Sequence, residues 1–235
     1  MAARTLYTDC RFLFIPVLLV LMFQESSAQA EGPKGTIQGT ITVSQSDDVS
    51  AEISRGRSLN RYQTSSAASG QSVAPYTLSE KAVVYIESVS GDFTPPSSRP
   101  VLDQRDMVFR PLVLPILAGT TVDFPNSDPL FHNVFSLSQA KEFDLGRYPK
   151  GQKKSVTFER TGIVSVYCEI HSYMFATILI LQNAYFTVPN DEGNYTIAGV
   201  PPGTYKLSFW YGRKKVESRS VTVSSGQTST VNFTY

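Results

Sequence analysis

Apolar side chains recur at every second position along much of this chain, and almost nowhere at every third or fourth. Thr36-Ile37-Gln38-Gly39-Thr40-Ile41-Thr42-Val43 sets its aliphatic residues on odd positions, the period of a strand with one face buried. Residues 82–86, 113–124, 155–158, 163–168 and 177–181 read as further strands, rich in β-branched and aromatic side chains. Gly119, Pro125, Gly151 and Gly162 punctuate them. A chain written this way buries its apolar surface by packing sheets, so an all-β protein is predicted.

Two segments break the pattern. Residues 44–75 are rich in Ser, Gln, Ala and Arg with no sustained alternation, which predicts a long mobile loop or insertion. Residues 91–100 carry Pro95, Pro96 and Pro100 and read as a linker between modules. Beyond residue 183 a second β unit follows. Asp191-Glu192-Gly193-Asn194 marks one turn and Gly199-Val200-Pro201-Pro202-Gly203-Thr204-Tyr205 another, with strand-like alternation in Tyr195-Thr196-Ile197, in 206–210, in Val221-Thr222-Val223 and in 231–235.

The first thirty residues read as a removable leader. Arg4 and Arg11 supply a basic start, residues 12–23 an apolar run, and Ala28-Gln29-Ala30 a cleavage signature. The apolar run is short for a permanent bilayer anchor. Cleavage after Ala30 would give an exported chain, periplasmic or otherwise outside the cytoplasm, with no stable membrane insertion. The formal charge of +1 survives cleavage, because the leader holds Arg4, Arg11, Asp9 and Glu25. No single-sign field is available to attract nucleic acid.

Removing the leader also removes Cys10, so Cys168 stands alone and no intramolecular disulfide can form. A lone thiol in an oxidising compartment is protected by burial as a small hydrophobe or by a bound metal. Its neighbours favour the metal. Both histidines of the chain and Cys168 fall in two short motifs, Phe131-His132-Asn133-Val134-Phe135 and Tyr167-Cys168-Glu169-Ile170-His171-Ser172-Tyr173-Met174. One thiolate, two imidazoles and a thioether are the donor set of a mononuclear blue-copper site, because soft sulfur suits Cu(I) and imidazole suits both oxidation states.

The spacing agrees. Cys168, His171 and Met174 lie three residues apart, so one tight loop can wrap an ion, while His132 comes from a segment 36 residues earlier. Zinc is the nearest competitor, but it rarely uses Met, and Cys plus two His would leave an open position. A Cys–His nucleophile pair fits less well, since cysteine hydrolases bring in their base from far along the chain. Without a second metal cluster or an acid–base pair beside it, the site does not read as that of an enzyme.

Those motifs resemble the cupredoxins, the Greek-key β-sandwiches of plastocyanin, amicyanin and pseudoazurin, over residues 99–182. The resemblance implies that His132, Cys168, His171 and Met174 bind one copper ion. It also implies that Asn133 ties its own segment to the one bearing Cys168, and that electrons leave through His171 toward a redox protein partner. Tyr173 and Phe175 would join His171 in the docking rim. Two departures stand out: Glu169-Ile170 replaces the proline many small cupredoxins carry between Cys and His, and Phe175-Ala176 replaces a glycine. Glu169 is expected to face solvent.

Residues 183–235 resemble the carboxypeptidase regulatory-like domain, a transthyretin-type sandwich, chiefly through the GVPPGTY turn. Residues 31–98 would supply N-terminal strands, and 35–90 could form one discontinuous domain with the tail, leaving the copper module inserted. The rival arrangement is two consecutive domains, with 82–86 opening the copper module. The combination is similar to secreted bacterial proteins labelled methylamine-utilization-like. Their resemblance implies single-electron transfer outside the cytoplasm; the alternative is a protein that holds copper or presents the sandwich to a partner or polysaccharide.

Overall fold

The structure is a computed structural model that describes residues 32–44 and 75–235. The expected leader over 1–30, and all but the ends of the 44–75 loop, lie outside these residues. Among the described residues no helix is long and apolar enough to cross a membrane.

The opening alternation becomes β1 (Gly35–Thr42), with Ile37 and Ile41 buried on one face. Its partners lie at the other end of the chain. It pairs antiparallel with β13 (Asn194–Val200), parallel with β16 (Thr228–Thr230), and at its far end with β17 (Phe233–Thr234). A second sheet runs in the order β12 (Phe186–Thr187), β2 (Ala82–Ile86), β14 (Gly203–Tyr211), β15 (Lys214–Val223). Strands from before residue 87 therefore share both sheets with strands from after residue 185, and 82–86 pairs within this set. The two sheets close over Ile37, Ile41, Val84, Ile86, Leu207, Phe209 and Phe233.

The intervening residues build their own sandwich. Its hairpin is β3 (Asp103–Arg105) and β4 (Val108–Arg110). β5 (Val113–Leu117), β7 (His132–Ser138), β8 (Lys141–Tyr148), β10 (Gly162–Tyr167) and β11 (Phe175–Leu181) form a five-stranded sheet in the order β5-β11-β10-β7-β8, with β5 and β11 parallel. β6 (Thr120–Pro125) pairs with β9 (Lys153–Phe158). Side chains from both sets meet in one core, where Val122, Phe124 and Phe158 pack with Val164, Val166, Ile178 and Ile180.

Here the structure differs from the sequence reading. The single run expected over 113–124 is two strands, because Gly119 turns the chain at φ 89°. A Cβ there would lie 2.6 Å from Pro95 Cγ, so that corner tolerates only glycine. The hairpin β3–β4 and the strands β7 and β8 were not anticipated. β7 carries His132, Asn133 and Ser136 facing the interior, polar positions that hide a strand from a hydrophobicity pattern.

The five-stranded sheet also has a second buried face. Val113, Phe175 and Leu179 pack against Val83 and Trp210 of the second tail sheet. A sheet covered on both faces buries residues of both parities, which is why β11 shows no alternation: six of its seven residues are buried.

Candidate metal centre

The end of β10 and the start of β7 are neighbours, with Tyr167 opposite Phe135. That pairing brings Cys168, the first residue past β10, against His132, the first of β7. The loop from Cys168 to Met174 is closed by two backbone bonds: Met174 N–H donates to His171 O at 2.9 Å and Cys168 N–H to Met174 O at 3.4 Å. His171 is thereby folded back over Cys168.

The donor atoms converge. His132 Nδ1 and His171 Nδ1 are 2.9 Å apart, and Cys168 Sγ lies 3.9 Å from the first and 3.8 Å from the second. For bonds of about 2.0 Å to nitrogen and 2.3 Å to sulfur, a trigonal site has N···S edges of roughly 3.7 Å and an N···N edge of roughly 3.5 Å. The two sulfur edges match, and the imidazoles need to part by roughly half an ångström. An N₂S set is borderline-soft, so the residues present fit a copper ion. Met174 is fully buried in the same core cluster as Cys168.

The electrostatics favour a thiolate. Burial pushes the Cys168 thiol up, but hydrogen bonds from His132 and His171 and from the Asn133 and His171 backbone N–H groups outweigh it, holding the thiol at about 5. Burial works against His132 in the same way. Hydrogen bonds to Asp128 and Cys168, and their charges, nonetheless raise its imidazole to about 9. Both shifts favour a thiolate beside a protonated imidazole.

Asn133 sits between the two ligand-bearing segments. Its Oδ1 accepts the Glu169 N–H at 2.6 Å and its Nδ2 donates to Asp144 Oδ1 at 3.1 Å. Glu169 itself faces outward and meets Arg147 at 3.3 Å, both side chains more than half exposed, a pairing that contributes little.

Two residues expected at a docking rim are elsewhere. Phe175 is only 6% exposed; its ring is packed beneath Trp210 and Leu179 and capped by the Arg213 guanidinium 3.4 Å from its centroid. Tyr173 is 8% exposed, and its hydroxyl reaches Met107 Sδ at 3.9 Å. Both face inward because the ligand loop runs directly into β11, whose two faces are covered. His171 is partly exposed, and the apolar residues that do reach solvent near it are Phe131, at 58%, with Leu130 and Ile170.

Sequence reasoning missed Asp128. Its Oδ2 accepts His132 Nε2–H at 2.9 Å and the Met107 N–H at 2.8 Å, while Oδ1 accepts the Asp106 N–H at 2.7 Å. Burial pushes the Asp128 carboxyl up, but these hydrogen bonds prevail and it lies below its ordinary value. The i, i+4 spacing to His132 was visible, but on a loop that spacing carries no expectation of contact.

Fold and site define an all-β protein in which a sandwich carrying a largely buried His–Cys–His cluster lies between the strands of a second sandwich. Residues 174–235 match the carboxypeptidase regulatory-like domain. The match starts at Met174 and so includes β11, which pairs with β5 and β10 of the five-stranded sheet. Curated proteins similar to the chain include the probable rhamnogalacturonate lyase A of Neosartorya fischeri, 41% identical, and the rhamnogalacturonate lyase A of Aspergillus aculeatus, 39% identical, each over 49 residues. Those alignments take in 21% of this chain and only 9% of either relative. Among solved structures, the purple cupredoxin of Nitrosopumilus maritimus is 24% identical over 34% of this chain and 98% of its own, at a TM-score of 0.32. A reduced amicyanin variant is 23% identical over 43% and 98%, at 0.34. The copper-containing nitrite reductase of Thermus scotoductus SA-01 is 24% identical over 42% of this chain and 25% of that one, at 0.36.

Proposed function

We propose that the protein binds one copper ion through His132, Cys168, His171 and Met174 and carries single electrons between redox proteins outside the cytoplasm. The observation that carries this reading is the convergence of two Nδ1 atoms and one Sγ within 4.8 Å of one another. Bound there, copper would supply one-electron chemistry between Cu(I) and Cu(II) with donors acceptable to both states.

The chain's own residues do the rest. The His132 and His171 imidazoles, with two backbone N–H groups, favour the Cys168 thiolate, the form that ligates. Asn133 fixes the ligand loop against β7, and the β scaffold keeps His132 in place whatever the loop does. Such a site moves little between states, which favours outer-sphere transfer over bond-making chemistry. We therefore read a carrier and not an enzyme. His171 is the partly exposed member, and Phe131, Leu130 and Ile170 offer an apolar rim for a redox partner.

The test is direct. Adding Cu(II) to the metal-free protein gives an intense blue colour that ascorbate bleaches reversibly, and Cys168→Ser abolishes it. A colourless complex that binds Cu(I) tightly and cannot be cycled would replace the carrier by a protein that stores or delivers copper.

A further inference from the structure

Asp128 is a carboxylate where a neutral acceptor would have served. It is 5% exposed, and burying an unpaired charge costs several kcal/mol unless hydrogen bonds compensate. Here they do, and from an unusual source. Two of its three donors are the backbone N–H groups of Asp106 and Met107, consecutive residues of the β3–β4 turn at φ 56° and 58°. Left-handed backbone at two non-glycine residues in succession is costly. Successive amides turned inward form a concavity suited to an anion, and this one is filled by Asp128. The loop carrying it is braced in turn: Asp128 N–H donates to Asn126 Oδ1 at 3.0 Å, and Asn126 Nδ2 donates to the carbonyls of Leu130 and Tyr148 at 2.8 and 2.9 Å.

The third donor is His132 Nε2. An ionised carboxylate can only accept, so a hydrogen stays on Nε2, and Nδ1, which faces Cys168 and His171, is the nitrogen that gives up its proton when an ion binds. We propose that Asp128 is the positioning residue of the site: its carboxylate, gripped by the β3–β4 turn, fixes the tautomer of His132 and places a buried negative charge that favours the higher oxidation state of the bound ion. This rests on the copper reading. The charge count gives the direction. Cys168 thiolate and Asp128 carboxylate neutralise a dipositive ion, but leave one uncompensated negative charge beside a monopositive one. A carboxylate behind a ligating imidazole also makes that nitrogen a stronger donor.

Asp128→Asn keeps an oxygen for Nε2–H and removes the charge. In the full copper-loaded chain its Cu(II) affinity falls 10- to 100-fold and its Cu(I) affinity falls less. Each tenfold difference raises the reduction potential by about 59 mV. A blue wild type with an Asp128→Asn variant of unchanged potential and affinity overturns the role of Asp128 and leaves the copper reading standing. A wild type that never turns blue removes the copper reading itself. A second measurement needs no substitution: in the Cu(I)-loaded wild type, nitrogen NMR finds the His132 ring protonated at Nε2, with that proton exchanging slowly. Protonation at Nδ1, or rapid exchange of the Nε2 proton, refutes the proposal.

Discussion

Replacing Phe175 by alanine separates a packing role from a docking role more sharply than any other change near the site. Phe175 is 6% exposed, and Phe131, the residue just before His132 at the start of β7, is 58% exposed. At Phe175 the variant empties a space lined by Trp210, Leu179 and Val113. It also forfeits the contact with Arg213. Removing a phenyl ring from such a position costs about 3–5 kcal/mol once the cavity is counted. For a chain of this size each kcal/mol lowers Tm by about 2–4 °C, so the melting midpoint should fall by about 6–20 °C. Phe131→Ala, by contrast, should stay within about 0.5 kcal/mol of wild type and should slow electron exchange with the partner instead. Urea unfolding of the metal-free proteins, followed by intrinsic fluorescence, reads the stability cost of each variant. A Phe175→Ala cost near that of Phe131→Ala would refute the placement of the tail sheet against β11.

Other outcomes are equally specific. Asn133→Ala leaves the Glu169 N–H without its acceptor and should cost about 1–3 kcal/mol in urea melts, with a 10- to 100-fold loss of copper affinity by competition titration. Met174→Leu should keep the colour and raise the reduction potential, measured electrochemically; loss of all copper binding would contradict an axial role for Met174. In the metal-free protein the thiolate absorbance of Cys168 should appear near pH 5 and not near its ordinary 9.0. The lowered Cys168 pKa contributes stability present above 9.0 and lost as pH falls through 5, while the raised His132 pKa contributes stability present below 6.5 and lost as pH rises through 9. Between pH 6.5 and 9 folded and unfolded chains bind equal numbers of protons on this pair, so its contribution is flat there and declines from 6.5 to 5.

What the sequence disclosed, and what it hid, follows from where the chemistry lies. β1, β2 and β10 are visible because one face of each is apolar and the other is not, or because β-branched residues run together. β7 is hidden by the histidine, asparagine and serine it turns inward. β8 is hidden by the charges that alternate with Phe143 and Leu145. The donor set is legible because soft ligands are so rare in this chain that their spacing stands out. Asp128 is not: its meaning depends on the turn at Asp106 and Met107, 22 and 21 residues earlier, whose backbone is left-handed without glycine. The inward placement of Tyr173 and Phe175 escaped notice for a related reason. Only the sheet stacked on the far side of β11 makes that strand two-faced.

The sharpest measurement is anomalous diffraction at the copper edge from crystals of the copper-loaded protein. A single peak bonded to Nδ1 of His132, Nδ1 of His171 and Sγ of Cys168, with Met174 Sδ at longer range, is the predicted result. A peak elsewhere in the molecule, or one whose ion is not bonded to Cys168 Sγ, would contradict the proposed copper centre.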